Sequence, residues 1–126
     1  MLAHRICVIG LTIASILVWA VSSAVADPHD GNWKMLAWTT RGDCPGSHFA
    51  FVIIHGHITS AGTLYQGYPA RLGGDVSRSG YLRSNAIAGQ STGSSTGWLR
   101  LYDGEGVWTA RGPSGLCAGA WSAYRF

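Results

Sequence analysis

Hydrophobic and polar positions divide this chain into two regimes. Ile6 to Ala24 is an almost unbroken apolar run. Beyond Gly31 apolar and polar residues alternate in short runs, and glycine-bearing turn signals separate the runs. Alternation with a period of two puts one set of side chains on each face of a strand. The runs predict eight strands, at 33–41, 48–54, 57–63, 70–78, 81–88, 95–102, 105–111 and 117–126.

The turn signals are evenly spaced. His55-Gly56, Ser79-Gly80 and Asp103-Gly104 lie 24 residues apart and suit two-residue hairpins, which demand positive φ. Looser clusters fall between and outside them, at Gly42–Ser47, Leu64–Pro69, Gly89–Ser94 and Gly112–Leu116. In an up-and-down meander alternate turns share an end, so the tight turns gather at one end and the longer loops at the other. Cys44 lies in the first long loop and Cys117 just after the last. They can meet only if the first and last strands come together, as they do in a closed sheet. The expected fold is therefore all-β: an eight-stranded antiparallel up-and-down barrel with one disulfide, Cys44–Cys117. A cross-link over that span stabilises by about 4 kcal/mol in the chain-entropy picture.

The same pattern assigns faces. A hairpin centred on Asp103-Gly104 pairs Leu99 with Trp108, Leu101 with Gly106 and Gly97 with Ala110 on the inner face. Phe49, Phe51, Ile53 and Ile58 also turn inward. Ser79-Gly80 sets Asp75 opposite Ser84. The low-complexity stretch Gly89–Gly97 reads as a flexible loop running into the sixth strand. Gly106-Val107-Trp108-Thr109-Ala110 is echoed by Gly119-Ala120-Trp121-Ser122-Ala123. This echo reads as a packing unit, in which small residues let neighbouring indoles lie flat.

The N-terminal regime is read as an export signal, residues 1–26. Arg5 supplies the positive flank, and Ala24-Val25-Ala26 is an A-x-A cleavage site followed by Asp27. The apolar run is close to the about 20 residues needed to span a bilayer, but the small-residue site and the lack of a basic stop-transfer flank favour removal. Residues 27–126 then form one domain, with no stable membrane span after cleavage. Cys7 leaves with the signal, and the two remaining cysteines suit an oxidising compartment, periplasmic or secreted.

Composition narrows the function classes. The chain has 18 Gly and only 12% charged residues. Nine Lys/Arg, one of which (Arg5) leaves with the signal, stand against six Asp/Glu and leave a formal charge of +2. The basic residues are scattered, so nucleic acid is not expected. His55-Gly56-His57 is the nearest approach to a metal pair, but one histidine sits in a turn and the other opens a strand, so no metal is expected. Asp103 is read as a turn residue rather than half of an Asp103/Glu105 carboxylate pair. No Gly-x-Ser-x-Gly or zincin motif occurs, and no histidine has an evident acid partner along the chain, so neither an enzyme nor a cofactor is expected. The ending Tyr124-Arg125-Phe126 matches the last strand of outer-membrane barrels. Against an outer-membrane barrel, the expected strands are shorter than the 9–11 residues a span needs, and Arg100 and Arg111 would face lipid.

Gly31-Asn32-Trp33 at the start of the first strand and Arg125 at the end of the last resemble the signature of the calycin group, lipocalins and avidins among them. That resemblance implies that Trp33 and Arg125 plug the barrel floor, with the guanidinium over the indole. The mature chain also resembles small exported β-barrel proteins of Gram-negative bacteria, some labelled as haem-utilisation or adhesion exoproteins. Asp30-Gly31-Asn32-Trp33, Cys44 and Cys117-Ala118-Gly119-Ala120-Trp121-Ser122-Ala123 carry that likeness. The chain has no Cys-x-x-Cys-His for covalent haem.

The expected function is a non-enzymatic binding protein that takes a small ligand or an extracytoplasmic protein partner at the long-loop end. Arg41, His48, Tyr65, Tyr68 and Arg111 gather there, since barrels bind at their mouths. Short strands imply a mostly filled interior and a shallow site. The alternatives are an inhibitor of a secreted hydrolase, which would use Asp27–Gly31 as an inserting arm, and an adhesion or structural module.

Overall fold

Ten strands form from the alternating pattern. A computed structural model of the chain describes residue 10 and residues 27–126. The expected signal peptide, residues 1–26, lies outside the described residues apart from Gly10. The strands are β1 (Gly31–Arg41), β2 (Ser47–Ile54), β3 (His57–Ser60), β4 (Leu64–Tyr65), β5 (Tyr68–Pro69), β6 (Arg71–Val76), β7 (Tyr81–Ala88), β8 (Ser91–Leu99), β9 (Asp103–Gly112) and β10 (Gly115–Arg125). Eight of them close into an antiparallel barrel in the order β1-β10-β9-β8-β7-β6-β3-β2. The remaining two, β4 and β5, make a small hairpin inside the loop between β3 and β6.

Closure rests on β1 and β10, which pair from Trp33 opposite Arg125 to Arg41 opposite Ala118. That pairing brings the loop after β1 onto the start of β10, and Cys44 and Cys117 are disulfide-bonded with their Cα atoms 6.0 Å apart. β1 and β10 run longer than expected, with 11 residues each, whereas β3 and β6 are shorter, with 4 and 6 residues.

Two of the three expected two-residue turns differ in length, though each stays at its expected end. His55-Gly56 is the two-residue hairpin predicted, with φ of 51° and 75° and Ile54 opposite His57. The next turn takes three residues, Arg78–Gly80, closed by Ser77 N–H to the Tyr81 carbonyl (2.9 Å), with Gly80 at φ 99°. The extra residue slips the register by one, so Asp75 faces Arg83, and Gly74 faces Ser84. The third turn is not at Asp103-Gly104 but at Arg100–Asp103, where Arg100 N–H donates to the Asp103 carbonyl (2.6 Å) and its guanidinium grips the Asp103 carboxylate (2.7 and 3.1 Å). Leu99 therefore pairs with Gly104, Gly97 with Gly106 and Ser95 with Trp108. The shift from the expected register is an even number of residues, so Gly97, Leu99, Gly106, Trp108 and Ala110 keep the inner face, whereas Leu101, expected inside opposite Gly106, falls in the turn and is exposed.

The reason is packing. Trp121 lies over both Gly97 and Gly106, and Leu99 lies over Gly104; a Cβ on any of the three would sit within 2.5 Å of those side chains. Gly104 is thus a space for Leu99, not a turn residue.

At the other end two of the expected loose loops are tight. Gly89-Gln90 and Pro113-Ser114 are two-residue turns, with Ala88 opposite Ser91 and Gly112 opposite Gly115. The Gly89–Gly97 stretch is accordingly not a flexible loop: from Ser91 on it is strand β8, bonded on both sides.

The inward-facing set makes one core. Trp33, Met35, Phe51, Ile53, Ile58, Val76, Leu82, Leu99 and Trp121 are buried in it, with Phe49, Leu72 and Trp108 packed against them. Burying each such side chain contributes roughly 1.5–3 kcal/mol.

Candidate functional site

Large and small side chains segregate along the barrel axis. At the tight-turn end the interior is filled by Trp33, Ile53, Ile58, Val76, Leu82 and Leu99. At the loop end the inward positions are small: Ala86 and Ala88 on β7, Ser91 and Gly93 on β8, and Ala110 and Gly112 on β9. β3 and β6 pair over only three residues, near the tight-turn end, and the 61–70 loop completes the wall beyond them; small inward side chains at the loop end leave space. A cavity of about 100 Å³ results, floored by Met35 and Trp108 and walled by Phe49, Leu72 and these small residues.

The floor is tied down by the N-terminal segment. The Arg125 guanidinium sits 5.5 Å from the Trp33 ring and donates to the carbonyls of Pro28 (3.1 Å), Leu101 (3.0 Å) and Asp30. Trp33 Nε1 donates to the His29 carbonyl at 2.8 Å. The Asp30 carboxylate accepts the backbone N–H groups of His55 (2.8 Å) and Gly56 (3.1 Å), capping that turn. Residues 27–30 are therefore part of the barrel floor and not a free arm. His29 is buried there, and desolvation, with Arg125 adding, holds its imidazole pKa below the usual value.

The β4–β5 hairpin reaches over the mouth. Tyr65 stacks on Phe49 (6.2 Å between ring centroids), and its hydroxyl donates to the Pro45 carbonyl (3.4 Å). Partial burial pushes the Tyr65 hydroxyl above its usual pKa, so it stays a neutral donor at ordinary pH. Tyr68 lies flat on Gly89, whose φ is 58°; a Cβ there would come within 3.0 Å of the ring. The mouth is thus bridged from β2 to the β7–β8 turn.

The expected binding residues separate into groups. Tyr65 and Arg111 line the cavity. Arg41 and Arg111 line a wider groove of about 570 Å³ on the outer wall, with Thr92, Ser94 and Thr109. Tyr68 is an outer prop of the hairpin. His48 is exposed on the outer face of β2, opposite Leu36, and lines neither space. The small inward residues that create the cavity were missed, because Gly and Ala in a strand read as weak strand formers. Their clustering at inward positions of three successive strands was the available signal.

Two further constellations are structural. Asp27, Asp30 and His55 bring possible ligand atoms within 4.8 Å of one another, but Asp30 is engaged with the turn and Asp27 lies 3.6 Å from Arg78. His57 does have an acid partner, contrary to the reading along the chain: Asp75 faces it across β3–β6, and the two side chains meet at 2.9 Å. Both are largely exposed, so the pair contributes at most about 1 kcal/mol.

Comparison with protein families, curated proteins and solved structures found no match.

Proposed function

We propose that the chain is an exported, non-enzymatic binding protein that holds a small apolar molecule in the loop-end cavity. The observation that carries this is the division of one interior into a solid floor and an empty, mostly apolar upper half with Tyr65 and Arg111 at its margin. A binding site needs a concave apolar space with a few polar groups that orient the occupant. At about 100 Å³ the cavity lies between the share of liquid volume of about three waters and the about 150 Å³ cavity that admits benzene. A short aliphatic chain suits it; a benzene ring and a haem do not. The Trp33–Arg125 contact is the one the calycin resemblance implies for the barrel floor, and ligand sites of barrels lie at their mouths.

The reading as an inhibitor of a secreted hydrolase loses its inserting arm, since Asp27–Asp30 are bonded into the floor. The reading as an adhesion module draws on the exposed apolar side chains of Leu36, Trp38, Val107 and Leu116 on adjoining strands.

The test is ligand-dependent thermal stability. 1-Hexanol at millimolar concentration raises Tm of the wild-type protein, because an occupant of the native state alone stabilises it by mass action. Ala110→Leu fills the cavity and removes that shift. No shift in wild type, or a shift that persists in Ala110→Leu, overturns the proposal.

A further inference from the structure

We infer that the outer-wall groove bearing Arg41 and Arg111 is a site for an anionic group, a carboxylate or phosphate monoester, belonging to the molecule whose apolar part occupies the cavity. This rests on the cavity-binding reading above. Arg41 on β1 faces Ala118 on β10, Ala118 faces Thr109 on β9, and Thr109 faces Ser94 on β8. In the next row Arg111 lies between Leu116 and Thr92. The two arginines thus flank β10 in adjacent rows, with Cα atoms about 12 Å apart by strand spacing and rise. On β10 the small Ala118 lies beside Arg41 and Leu116 beside Arg111, and both line the groove.

Both guanidiniums are uncommitted. Arg78 pairs with Asp27, and Arg100 with Asp103 and Glu105, whereas no described ion pair involves Arg41 or Arg111, not even with nearby Asp43. The guanidinium fork matches the oxygens of a carboxylate or phosphate. The hydroxyls of Thr92, Ser94 and Thr109 supply further donors on the same wall.

Cavity and groove adjoin. Gly93, Ser94, Thr109, Ala110 and Arg111 line both. The wall between them is hydrogen-bonded strand, so a single ligand joins the two spaces over the rim. Arg111 stands at that rim, beside the two-residue Pro113-Ser114 turn. An amphiphile with its short chain inside places its anionic end there.

The experiment compares 1-hexanol, hexanoate, hexyl phosphate and inorganic phosphate by titration of the purified, oxidised protein at low ionic strength. Hexanoate and hexyl phosphate are expected to bind about tenfold tighter than 1-hexanol, as one charge-assisted hydrogen bond at an exposed rim provides. Added salt reduces that preference, and the Arg41→Gln/Arg111→Gln double variant brings the ratio towards unity. Equal affinities in wild type, or a preference that survives both substitutions, overturn the inference and leave the cavity reading standing. Inorganic phosphate binding as tightly as hexyl phosphate also overturns it, because the cavity then adds nothing. If 1-hexanol does not bind wild type at all, the cavity reading fails and this inference fails with it.

Discussion

Trp121 faces Gly106 across β9–β10, and its indole occupies the space that a Cβ on that glycine would need, with Cε2 and Cζ2 each 2.5 Å away. The relation is reciprocal: Trp108 faces Gly119, and its ring fills the corresponding space there. Two copies of one Gly-x-Trp segment therefore lock together, each glycine receiving the other's indole. The Trp108 and Trp121 Nε1 groups donate to the carbonyls of Ala120 (3.0 Å) and Thr96 (3.2 Å), so neither ring is free to move aside.

Gly106→Ala is accordingly expected to cost at least about 2 kcal/mol, as overpacking of a filled core does. For a domain of this size that lowers Tm by about 8–16 °C. Gly73→Ala is the control, since a Cβ there meets nothing within 4 Å; its effect is expected to stay within about 0.5 kcal/mol. Paired thermal melts decide the matter, and equal losses in the two variants would refute the interlock.

The Cys44–Cys117 bond spans 73 residues and joins the loop after β1 to the strand that pairs with β1. Reduction, or Cys44→Ser/Cys117→Ser, is expected to remove about 4 kcal/mol. Urea titration with and without reductant measures it. A midpoint that does not move would show that strand pairing alone holds the barrel shut.

Arg125 bonds three carbonyls at the floor, those of Pro28, Leu101 and Asp30. Arg125→Met keeps much of the stem but leaves those acceptors without their donor, at an expected cost of about 2–4 kcal/mol. Lysine is expected to recover little, because its ammonium cannot serve a fork of acceptors. Amide hydrogen exchange at Asp27–Asp30 should rise more than exchange at the mouth.

His29 gives the floor a pH dependence. Burial, with Arg125 adding, lowers its folded pKa below the unfolded value, while the Leu99 carbonyl and Asp27 and Asp30 partly offset this. A histidine with a depressed folded pKa binds protons more readily when unfolded. Its contribution is therefore complete above the unfolded pKa of about 6.5 and is lost as pH falls towards the lower folded value. Urea midpoints at pH 7.5 and 5.5 should show a loss on acidification that is smaller in His29→Gln. An equal loss in both proteins would assign the slope to other groups.

Much of the architecture was legible along the chain because strand alternation and turn signals are local. Trp33, Phe51, Ile53, Ile58 and Leu99 declare their faces through nearest neighbours, and closure followed from where Cys44 and Cys117 fall among the turns. Hairpin registers were less legible. Asp103-Gly104 has the composition of a turn, yet Gly104 lies beneath Leu99, a demand set by a side chain on another strand. The site was the least legible part. Arg41, Tyr65 and Arg111 line the cavity or the groove at the loop end, but His48 lies on the outer face of β2, and the cavity is made by small residues that carry no functional chemistry.

By itself the sequence determined the eight barrel strands, the inner faces of β1, β2 and β9, and the meeting of the first and last strands, since each depends on periodicity or on the chain positions of two sulfurs. Only the tertiary structure decided which glycines are turns and which are sockets, where the interior is solid and where hollow, and that His57 faces Asp75. Those outcomes depend on the volumes and partners that distant strands bring to one place, and no local pattern encodes them.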